Sequence, residues 1–411
     1  MGPPDLLRRT MRGMARAMLD ALAPQPADAL LALIKLHAAD PRPTKIDLGV
    51  GVYRTGQGDT PVFGAIKAAE RRLLETQTSK AYLGPEGDMG FVAALQPRIF
   101  GSGFDASSLF GRIEGMQTPG GTGGVRLAVA LAKKAGATRL WMGTPSWPNH
   151  AQIVADLGLE LKAFAHAAAD GSADGAAVLA AIAEAQPGDA ILLHGCCHNP
   201  TGIDYDAAQW QAIAAALAQT GVLPILDLAY QGLGHGMEED ALGLRTVLAA
   251  VPEALVAYSC DKNFGLYRDR VGAFYVVARE GSQLPAIMSN GHALARANWS
   301  MPPDHGAAAV RLVLEDEALV AQWLDELDTM RARMRQVRLA LASAGTVGGI
   351  DLTPVGRQNG LFSVLPLGAA RIAALRADHG IYMAGSGRIN VAGLTSANLD
   401  AFVAALAATA D

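Results

Sequence analysis

Residues 254–267 read ALVAYSCDKNFGLY, an apolar run that passes into a polar turn. The run predicts a buried strand, and Lys262 is expected just beyond its end. Burial disfavours the charged form of a lysine and lowers its pKa, and the neutral amine can then form a Schiff base with an aldehyde cofactor. Ser259 and Arg270 offer a hydroxyl and a guanidinium fork that suit a phosphate on such a cofactor. A single lysine after a strand is more often a solvated loop residue, so this interpretation depends on the other motifs of the chain.

The composition is typical of a globular protein with a large core. Of the 411 residues, 50% are hydrophobic, which suffices for two domains or for one large α/β domain with an appendage. The formal net charge is −5, and Lys and Arg are spread along the chain, which argues against a nucleic-acid groove or an anionic membrane surface. We find no apolar run of transmembrane length, and residues 1–22 lack the apolar core of a signal peptide.

The three cysteines predict a reduced, cytoplasmic protein. Cys196 and Cys197 are adjacent in sequence, and neighbours rarely pair with each other, so a disulfide framework is not expected. The run Cys196-Cys197-His198 lacks the wider spacing and the second cluster of a zinc site, and we therefore expect no metal.

Helical and strand patterns alternate from Pro61 to about Ala278. The clearest predicted strands are Arg139–Gly143, Ala190–His194, Val222–Leu228, Leu255–Ser259 and Gly272–Val277. Ala- and Leu-rich helical stretches separate most of them, which predicts an α/β fold with a parallel or mixed sheet sandwiched by helices. Ligands of such folds lie beyond the carboxyl ends of the strands, so polar residues at those ends are candidates for a site.

We divide the chain into four parts: an N-terminal extension (1–26), an N-terminal part of a small domain (27–60), a large cofactor-binding domain (61–328) and a C-terminal part of the small domain (329–411). Before the large domain, the pattern predicts a helix over Leu30–Ala38 and a strand or extended segment over Ile46–Tyr53. After Pro303, it predicts a long helical region to about Ala344, short strands around 360–364 and 388–391, and a final helix from Ser396.

A glycine-rich stretch, Gly120–Gly124, precedes a predicted helix over Val125–Ala135. The free N–H groups of a helix N-terminus can hold a phosphate, although glycine-rich turns before helices are also common structural joints. The stretch is neither a Walker loop nor a GxGxxG motif of a first βα unit, so nucleotide binding is not supported.

Several polar residues are expected near strand ends. Asp227 lies in an apolar strand, where a carboxylate is costly unless it is paired; a protonated ring nitrogen would pair with it, but so would a helix cap or a core hydrogen bond. Asn199 opens a turn signature, and Trp147 lies in a loop, where it either offers a stacking face or plugs a domain. Arg388 follows glycines and precedes a short strand, which suits a carboxylate clamp.

Two histidines, His150 and His198, accompany these residues, and we expect both to be hydrogen-bonded supports, not general bases.

Taken in order, these segments resemble the aspartate and aromatic amino acid aminotransferases, pyridoxal-phosphate enzymes of fold type I, class I. The similarity runs from about Ala27 to the C-terminus and is carried by HGCCHNPTG (194–202), DLAYQG (227–232) and SCDKNFG (259–265). It implies a large domain with a mixed, mostly parallel seven-stranded sheet flanked by helices, and a smaller α+β domain.

The resemblance also implies a role for each matching residue. Lys262 would hold pyridoxal 5′-phosphate as a Schiff base and act as general acid and base. Asp227 would pair with the cofactor's ring nitrogen, Tyr230 and Asn199 would hydrogen-bond its phenolate oxygen, and Trp147 would stack on its ring. The implied phosphate ligands are Ser259, Arg270, the backbone of Gly121 and Thr122, and Tyr82 of the partner subunit.

The substrate site is implied in the same way. Arg388 would bind the α-carboxylate, and Arg296 would cross the interface of a homodimer to a distal carboxylate. Gly51 lies in the segment that would close over the substrate, which Trp147 and Asn199 would also contact.

Three positions depart from the family pattern: Asp261 stands where relatives usually have Ser, and Met301 and Ala81 stand where many aspartate-preferring members have Asn. The last two make the pocket less polar. We therefore expect aromatic amino acids as well as aspartate and glutamate to donate their amino group to 2-oxoglutarate or oxaloacetate in a ping-pong cycle. The alternative within the family is a strict aspartate aminotransferase.

Two other classes of protein were weighed. A pyridoxal-phosphate lyase or decarboxylase is disfavoured by the two carboxylate-binding arginines. A regulator with a DNA-binding module is disfavoured because the segment before residue 27 is too short for that module and Lys262 is present with all its partners.

Overall fold

The computed structural model describes residues 18–24 and 29–410. The predicted N-terminal extension, 1–26, lies mostly outside the described residues; within it, Met18–Ala21 form one 3₁₀ turn. In the described residues, none of the helices combines the length and the apolar character that crossing a membrane requires.

The centre of the molecule is a seven-stranded sheet. Its strands are β2 (Ile113–Pro119), β3 (Arg139–Thr144), β4 (Glu160–Ala165), β5 (Ala190–His194), β6 (Leu223–Leu228), β7 (Ala254–Ser259) and β8 (Val271–Val277), in the order β2-β8-β7-β6-β5-β3-β4. All neighbours are parallel except β8, which runs antiparallel to β2 and β7. The fold class, an α/β fold around a mostly parallel seven-stranded sheet, is thereby confirmed; β2 and β4 were missing from the clearest predicted strands.

Helices α1 to α13 surround this sheet and a smaller C-terminal part. They are Ala29–Ala39, Gly64–Thr76, Met89–Phe100, Gly120–Lys134, Pro148–Asp156, Gly175–Glu184, Ala207–Thr220, Leu242–Ala250, Leu284–Asn298, His305–Leu314, Glu317–Ser343, Ala369–His379 and Leu399–Ala408.

A hydrophobic core lies on each face of the sheet, because successive side chains of a strand point to opposite faces. In β7, Val256 and Tyr258 join the core that includes Trp210 of α7. Leu255 and Ala257 join the other core, which includes Val125 of α4. The strand is buried along its whole length, which explains why it reads as a continuous apolar run.

The glycine-rich stretch was expected to be a turn ahead of a helix, and this was wrong. Helix α4 already begins at Gly120, so the glycines form its first turn. A Cβ on Gly121 would lie 2.8 Å from Cβ of Ser259, and one on Gly124 would lie 3.1 Å from the carbonyl oxygen of Ala273. The helix therefore starts in direct contact with the sheet, an approach that larger residues would prevent.

The C-terminal part is built from short strands. Strand β1 (Ile46–Asp47) pairs in parallel with β12 (Ile381–Tyr382), and β11 (Phe362–Val364) pairs antiparallel with β13 (Arg388–Asn390). A third pair joins β9 (Thr346–Val347) to β10 (Ile350–Asp351). A separate core contains Ile46 and Leu48 together with residues after 336, and this supports the predicted division into domains, which remains a prediction.

Three other sequence predictions need correction. Only Ile46–Asp47 of the segment 46–53 is strand, because the chain turns at Gly49 with Asp47 accepting hydrogen bonds from the next backbone amides. The long helical region is two helices, α10 and α11, since Asp316 caps the start of α11. The last helix begins at Leu399 and not at Ser396, because Thr395 and Asn398 form a hydrogen-bonded turn before it.

Candidate active site

Lys262 lies in the turn that joins β7 to β8, and two contacts fix this turn. The indole of Trp323, from α11, donates to the carbonyl of Asn263 at 2.7 Å and stacks on Phe264 with ring centroids 4.3 Å apart. Burial lowers the pKa of Lys262, while Asp261 and Asp227 act to raise it. Its Nζ lies 5.3 Å from the centre of the Tyr230 ring. The amine is thus held at the carboxyl edge of the sheet, and its pKa is lower than that of an exposed lysine.

Asp227 lies near the end of β6, opposite His194 of β5 in the strand register. Its Oδ2 accepts a hydrogen bond from Nε2 of His150 at 3.0 Å, and Oδ1 is buried without a partner. Burial acts to raise the pKa of Asp227, but the hydrogen bond from His150 and the electrostatic effects of its neighbours outweigh it, so the pKa is lowered. An ionised carboxylate with one unpartnered buried oxygen can accept a hydrogen bond from a cationic N–H group.

A row of buried histidines extends from Asp227. The ring centroids of His150 and His194 are 5.0 Å apart, those of His194 and His198 are 4.4 Å apart, and His166 stacks on His198 at 3.4 Å. Burial lowers the pKa of His194 to about 3 and also lowers those of His198 and His166. The rings of His194, His198 and His166 are therefore neutral near pH 7. His150 is hydrogen-bonded to Asp227 and His198 to Thr201, in agreement with the expectation that both are hydrogen-bonded supports. His194 and His166 were not singled out from the sequence.

Tyr230 and Asn199 are brought together as predicted. Nδ2 of Asn199 donates to the Tyr230 hydroxyl at 3.2 Å, and Oδ1 of Asn199 is buried without a partner. Burial raises the pKa of Tyr230, so its hydroxyl keeps its proton near neutral pH. Trp147 precedes α5, with its ring edge-on to His150 at 5.0 Å.

Ser259, Arg270, Gly121 and Thr122 lie around the start of α4. Nη2 of Arg270 is 3.5 Å from Oγ1 of Thr122, and Gly121 lies against Ser259. No side chain caps the start of α4, so its first N–H groups are available to an anion. Nη1 of Arg270 is already engaged by Asp261 at 2.6 Å, a pair that sequence reasoning missed.

Arg388 begins β13 and lies over Phe362, whose ring packs edge-on with that of Tyr230. Its guanidinium lies 4.4 Å from the centre of the Phe362 ring, and its Nη2 donates to the carbonyl of Gly49 at 3.0 Å. Nε of Arg388 is buried without a partner, and burial lowers the pKa of the side chain. A Cβ on Gly51 would lie 2.7 Å from Phe362, so the glycine segment passes directly over this ring. Phe362 was not predicted, because its role depends on long-range contacts.

Two predicted residues do not join the site within one chain. Tyr82 is 93% exposed, and Arg296 is exposed at the end of α9. The family resemblance implies that both act in the site of a neighbouring subunit.

The donor set fits pyridoxal phosphate. The orphaned Asp227 Oδ1 can accept from a protonated ring nitrogen, Asn199 and Tyr230 can bind a phenolate oxygen, and the start of α4 with Ser259 and Arg270 can bind a phosphate. Lys262 is the amine that can attach the cofactor covalently. A site of this composition beyond the carboxyl ends of a mostly parallel sheet defines a pyridoxal-phosphate-dependent enzyme.

Comparison with known proteins narrows the class. Residues 43–406 match the family described as aminotransferase class I and II. A tyrosine aminotransferase of Rhizobium meliloti (strain 1021) is 50% identical over 383 residues, which cover 92% of this chain and 97% of that protein. An aspartate aminotransferase of Escherichia coli (strain K12) is 43% identical over 388 residues, covering 93% of this chain and 97% of that protein.

Solved structures agree. An aromatic-amino-acid aminotransferase of Burkholderia pseudomallei, covalently bound to pyridoxal phosphate, superposes with a TM-score of 0.91 at 34% identity, covering 96% of this chain and 100% of that one. The chain belongs to the class I and II aminotransferases. It is a pyridoxal-phosphate-dependent transaminase, as the sequence motifs indicated.

Proposed function

We propose that this enzyme transfers amino groups from both aromatic amino acids and aspartate or glutamate to 2-oxo acids. The observation that carries the proposal is the location of Arg388, which lies over the ring of Phe362 with its Nε buried and without a partner. A guanidinium in this place can bind the α-carboxylate that every amino acid has. Because Phe362 lies below the guanidinium, the preference for one substrate side chain over another must come from other residues.

Met301 supports acceptance of aromatic side chains. Its thioether lies 3.0 Å from the backbone nitrogen of Leu83, next to the exposed Tyr82. An apolar thioether here replaces the amide common in aspartate-preferring relatives, so the edge that this segment would contribute to the partner subunit's pocket favours apolar substrate groups. The relatives named for tyrosine and for aspartate make both substrate types reasonable.

Each residue has a distinct part in the proposed reaction. Bound at this site, pyridoxal phosphate supplies an electron sink that makes the Cα–H bond of the amino acid acidic. Lys262, whose pKa is lowered by burial, would take the proton from Cα of the substrate and deliver it to C4′ of the cofactor. Asp227 stays ionised through His150 and holds the cofactor's ring nitrogen in its protonated form. Arg388 orients the substrate by its carboxylate.

We also propose a homodimer with shared sites, located in the cytoplasm. Tyr82 and Arg296 have roles only if they reach the site of a partner subunit, and both are exposed in the single chain. The three free, buried cysteines agree with a reducing compartment.

The test is a half-transamination screen. Each amino acid is added alone to the purified enzyme, and the absorbance of the bound cofactor is followed. Phenylalanine, tyrosine, aspartate and glutamate should each convert the cofactor. If only the dicarboxylic amino acids react, the enzyme is the strict aspartate aminotransferase that the relatives also allow.

A further inference from the structure

Asp261 and Arg270 form an ion pair next to the start of α4. Oδ2 of Asp261 lies 2.6 Å from Nη1 of Arg270, and the carboxylate side chain is 3% exposed whereas the guanidinium is 40% exposed. Oδ1 of Asp261 accepts from the backbone nitrogen of Val271 at 3.0 Å. Both carboxylate oxygens are therefore fixed, and the carboxylate cannot swing away from the arginine.

The pair borders the proposed phosphate cradle, which consists of Gly121, Thr122, Ser259 and Arg270. A Cβ on the neighbouring Gly120 would lie 2.5 Å from Nη2 of Arg270 and 2.9 Å from Oδ2 of Asp261, so the backbone of α4 begins against the pair. Nη2 of the same guanidinium points to Thr122. A phosphate bound in the cradle would share one positive charge with the carboxylate.

This arrangement has an electrostatic consequence. A phosphate monoester carries nearly two negative charges above its second pKa of about 6. Two anions held close together cannot both keep full charge cheaply, and the coupled pair of phosphate and carboxylate takes up a proton. Because the carboxylate is buried and fixed, it cannot reduce the repulsion by moving into water.

We propose that Asp261 makes phosphate binding in this cradle proton-linked: a phosphorylated ligand binds with uptake of one proton, shared between its phosphate and the Asp261 carboxyl, and its affinity falls as the pH rises. The inference rests on the proposed assignment of the phosphate cradle. The added proton offsets one of the charges that the phosphate brings.

The groups around Asp261 are consistent with this linkage. Burial raises the pKa of Asp261, against the lowering effect of Lys262 and Arg270. Cys260 and Tyr267 also face it, and burial raises the pKa of both, so they stay neutral near pH 7. Lys262 also lies next to Asp261, and its pKa is lowered by burial. A change in the protonation of Lys262 would obscure the measurement, so the test ligand must be one that does not react with its amine.

Pyridoxamine 5′-phosphate meets this condition, since it carries an amine in place of the aldehyde. The full-length chain, freed of cofactor, is titrated with it calorimetrically between pH 7 and pH 9, in buffers of different ionisation enthalpy. The wild-type affinity should fall with pH, by up to about tenfold per unit, the limit for one linked proton. The buffer dependence should show uptake of about one proton.

Asp261→Asn is the key variant, because it keeps the shape of the side chain and removes its charge. It should bind pyridoxamine 5′-phosphate more tightly at pH 8, by roughly ten- to a hundredfold, and with a much weaker pH dependence. Asp261→Ser restores the residue usual in relatives and should behave in the same direction. Asp269→Asn removes an acid from the same loop and should leave the titration unchanged. Circular dichroism confirms that each variant is folded.

The outcomes distinguish a failure of the role of Asp261 from a failure of the phosphate cradle itself. If wild type and Asp261→Asn show the same pH dependence and the same affinity, Asp261 has no such role and the proposal fails. Pyridoxamine, which lacks the phosphate, should bind both proteins equally. If neither protein distinguishes pyridoxamine 5′-phosphate from pyridoxamine, the cradle itself is wrong, and the proposal falls with it.

Discussion

His150 donates from Nε2 to Oδ2 of Asp227 at 3.0 Å, and this bond joins a helix to the carboxyl end of the central strand β6. Nδ1 of the same ring lies 3.0 Å from the Ser146 hydroxyl, which can donate to it while Nε2 donates to the carboxylate. The histidine is therefore the largest contribution that keeps this carboxylate, which is 4% exposed, in its charged form.

His150→Leu should raise the pKa of Asp227, because burial then acts without the opposing hydrogen bond. The acid limb of the pH profile of kcat should move to higher pH, and kcat at pH 7 should fall by roughly ten- to a hundredfold. His150→Asn keeps a donor and should shift the limb less. An unchanged acid limb in His150→Leu would show that other groups keep Asp227 ionised.

The same group affects stability. The folded-state pKa of Asp227 is lowered, so its contribution to the free energy of unfolding is full above the unfolded pKa of about 4 and is lost as the pH falls through the folded value. Urea titrations between pH 3 and pH 7 should show a smaller loss of stability towards low pH in Asp227→Asn than in wild type.

Lys262 should be the residue that carries the cofactor. Borohydride treatment of the yellow enzyme should fix the cofactor irreversibly, and mass spectrometry of the digest should find the added mass on the peptide that contains Lys262. Lys262→Ala should lose the adduct and almost all activity. An adduct on a different lysine would remove the basis of the site.

Arg296 and Arg388 should divide the recognition of substrate between them. Removing one partner of a desolvated guanidinium–carboxylate pair costs about 3–5 kcal/mol. Arg296→Leu should therefore lower kcat/KM for aspartate and glutamate by roughly two to four decades, and change that for phenylalanine little. Arg388→Leu should lower kcat/KM for every amino acid, because each has an α-carboxylate.

The exposed Arg279 offers a control for loss of a surface charge, and Arg279→Leu should leave both substrate types unaffected. Equal losses for aspartate and phenylalanine in Arg296→Leu would mean that Arg296 is structural, and the argument for two substrate types would fail.

The proposed dimer allows a complementation test. Lys262→Ala and Arg296→Leu should each be nearly inactive with aspartate. If Arg296 acts in the site of the partner subunit, co-expression yields hybrid dimers in which one of the two sites has both residues. Random assembly should then recover about a quarter of wild-type activity. Absence of recovery from hybrids that light scattering shows to be dimers would place both residues in the site of one subunit.

Arg338 should stabilise the segment that carries Phe362. It is 1% exposed and donates to the carbonyls of Asn359, Gly360 and Phe362 at 2.8 to 2.9 Å and to the Ser363 hydroxyl at 2.7 Å. Burial lowers its pKa to about 10, so it remains charged at neutral pH.

Arg338→Met leaves these acceptors unpaired and should lower the free energy of unfolding by roughly 2–4 kcal/mol, measured by chemical denaturation. Because Phe362 underlies Arg388, KM should rise for all amino acids. Arg338→Lys should recover part of both effects. Removal of the buried charge could instead stabilise the protein, and a more stable Arg338→Met would show that desolvation of the guanidinium outweighs its hydrogen bonds.

Sequence patterns were enough to predict five of the seven sheet strands and the residues of the proposed site that follow them. Buried strands such as β6 and β7 read as apolar runs, and the polar residues at their ends, Asp227, Ser259 and Lys262, meet at one edge because parallel strands end together. The order of these motifs then sufficed for the family. This information is local, since it depends on periodicity and on the residue that follows each strand.

Long-range contacts between side chains became visible only in the folded chain. Helix α4 starts at Gly120, where its first turn contacts Ser259. Phe362 lies under Arg388 because β11 pairs with β13. Asp261 forms an ion pair with Nη1 of Arg270, which lies at the other end of the same turn. The residues that make these contacts carry no periodic signal, and their partners are set by how helices and strands pack. Packing at van der Waals distance is decided by the whole fold, and for that reason the sequence pattern does not predict it.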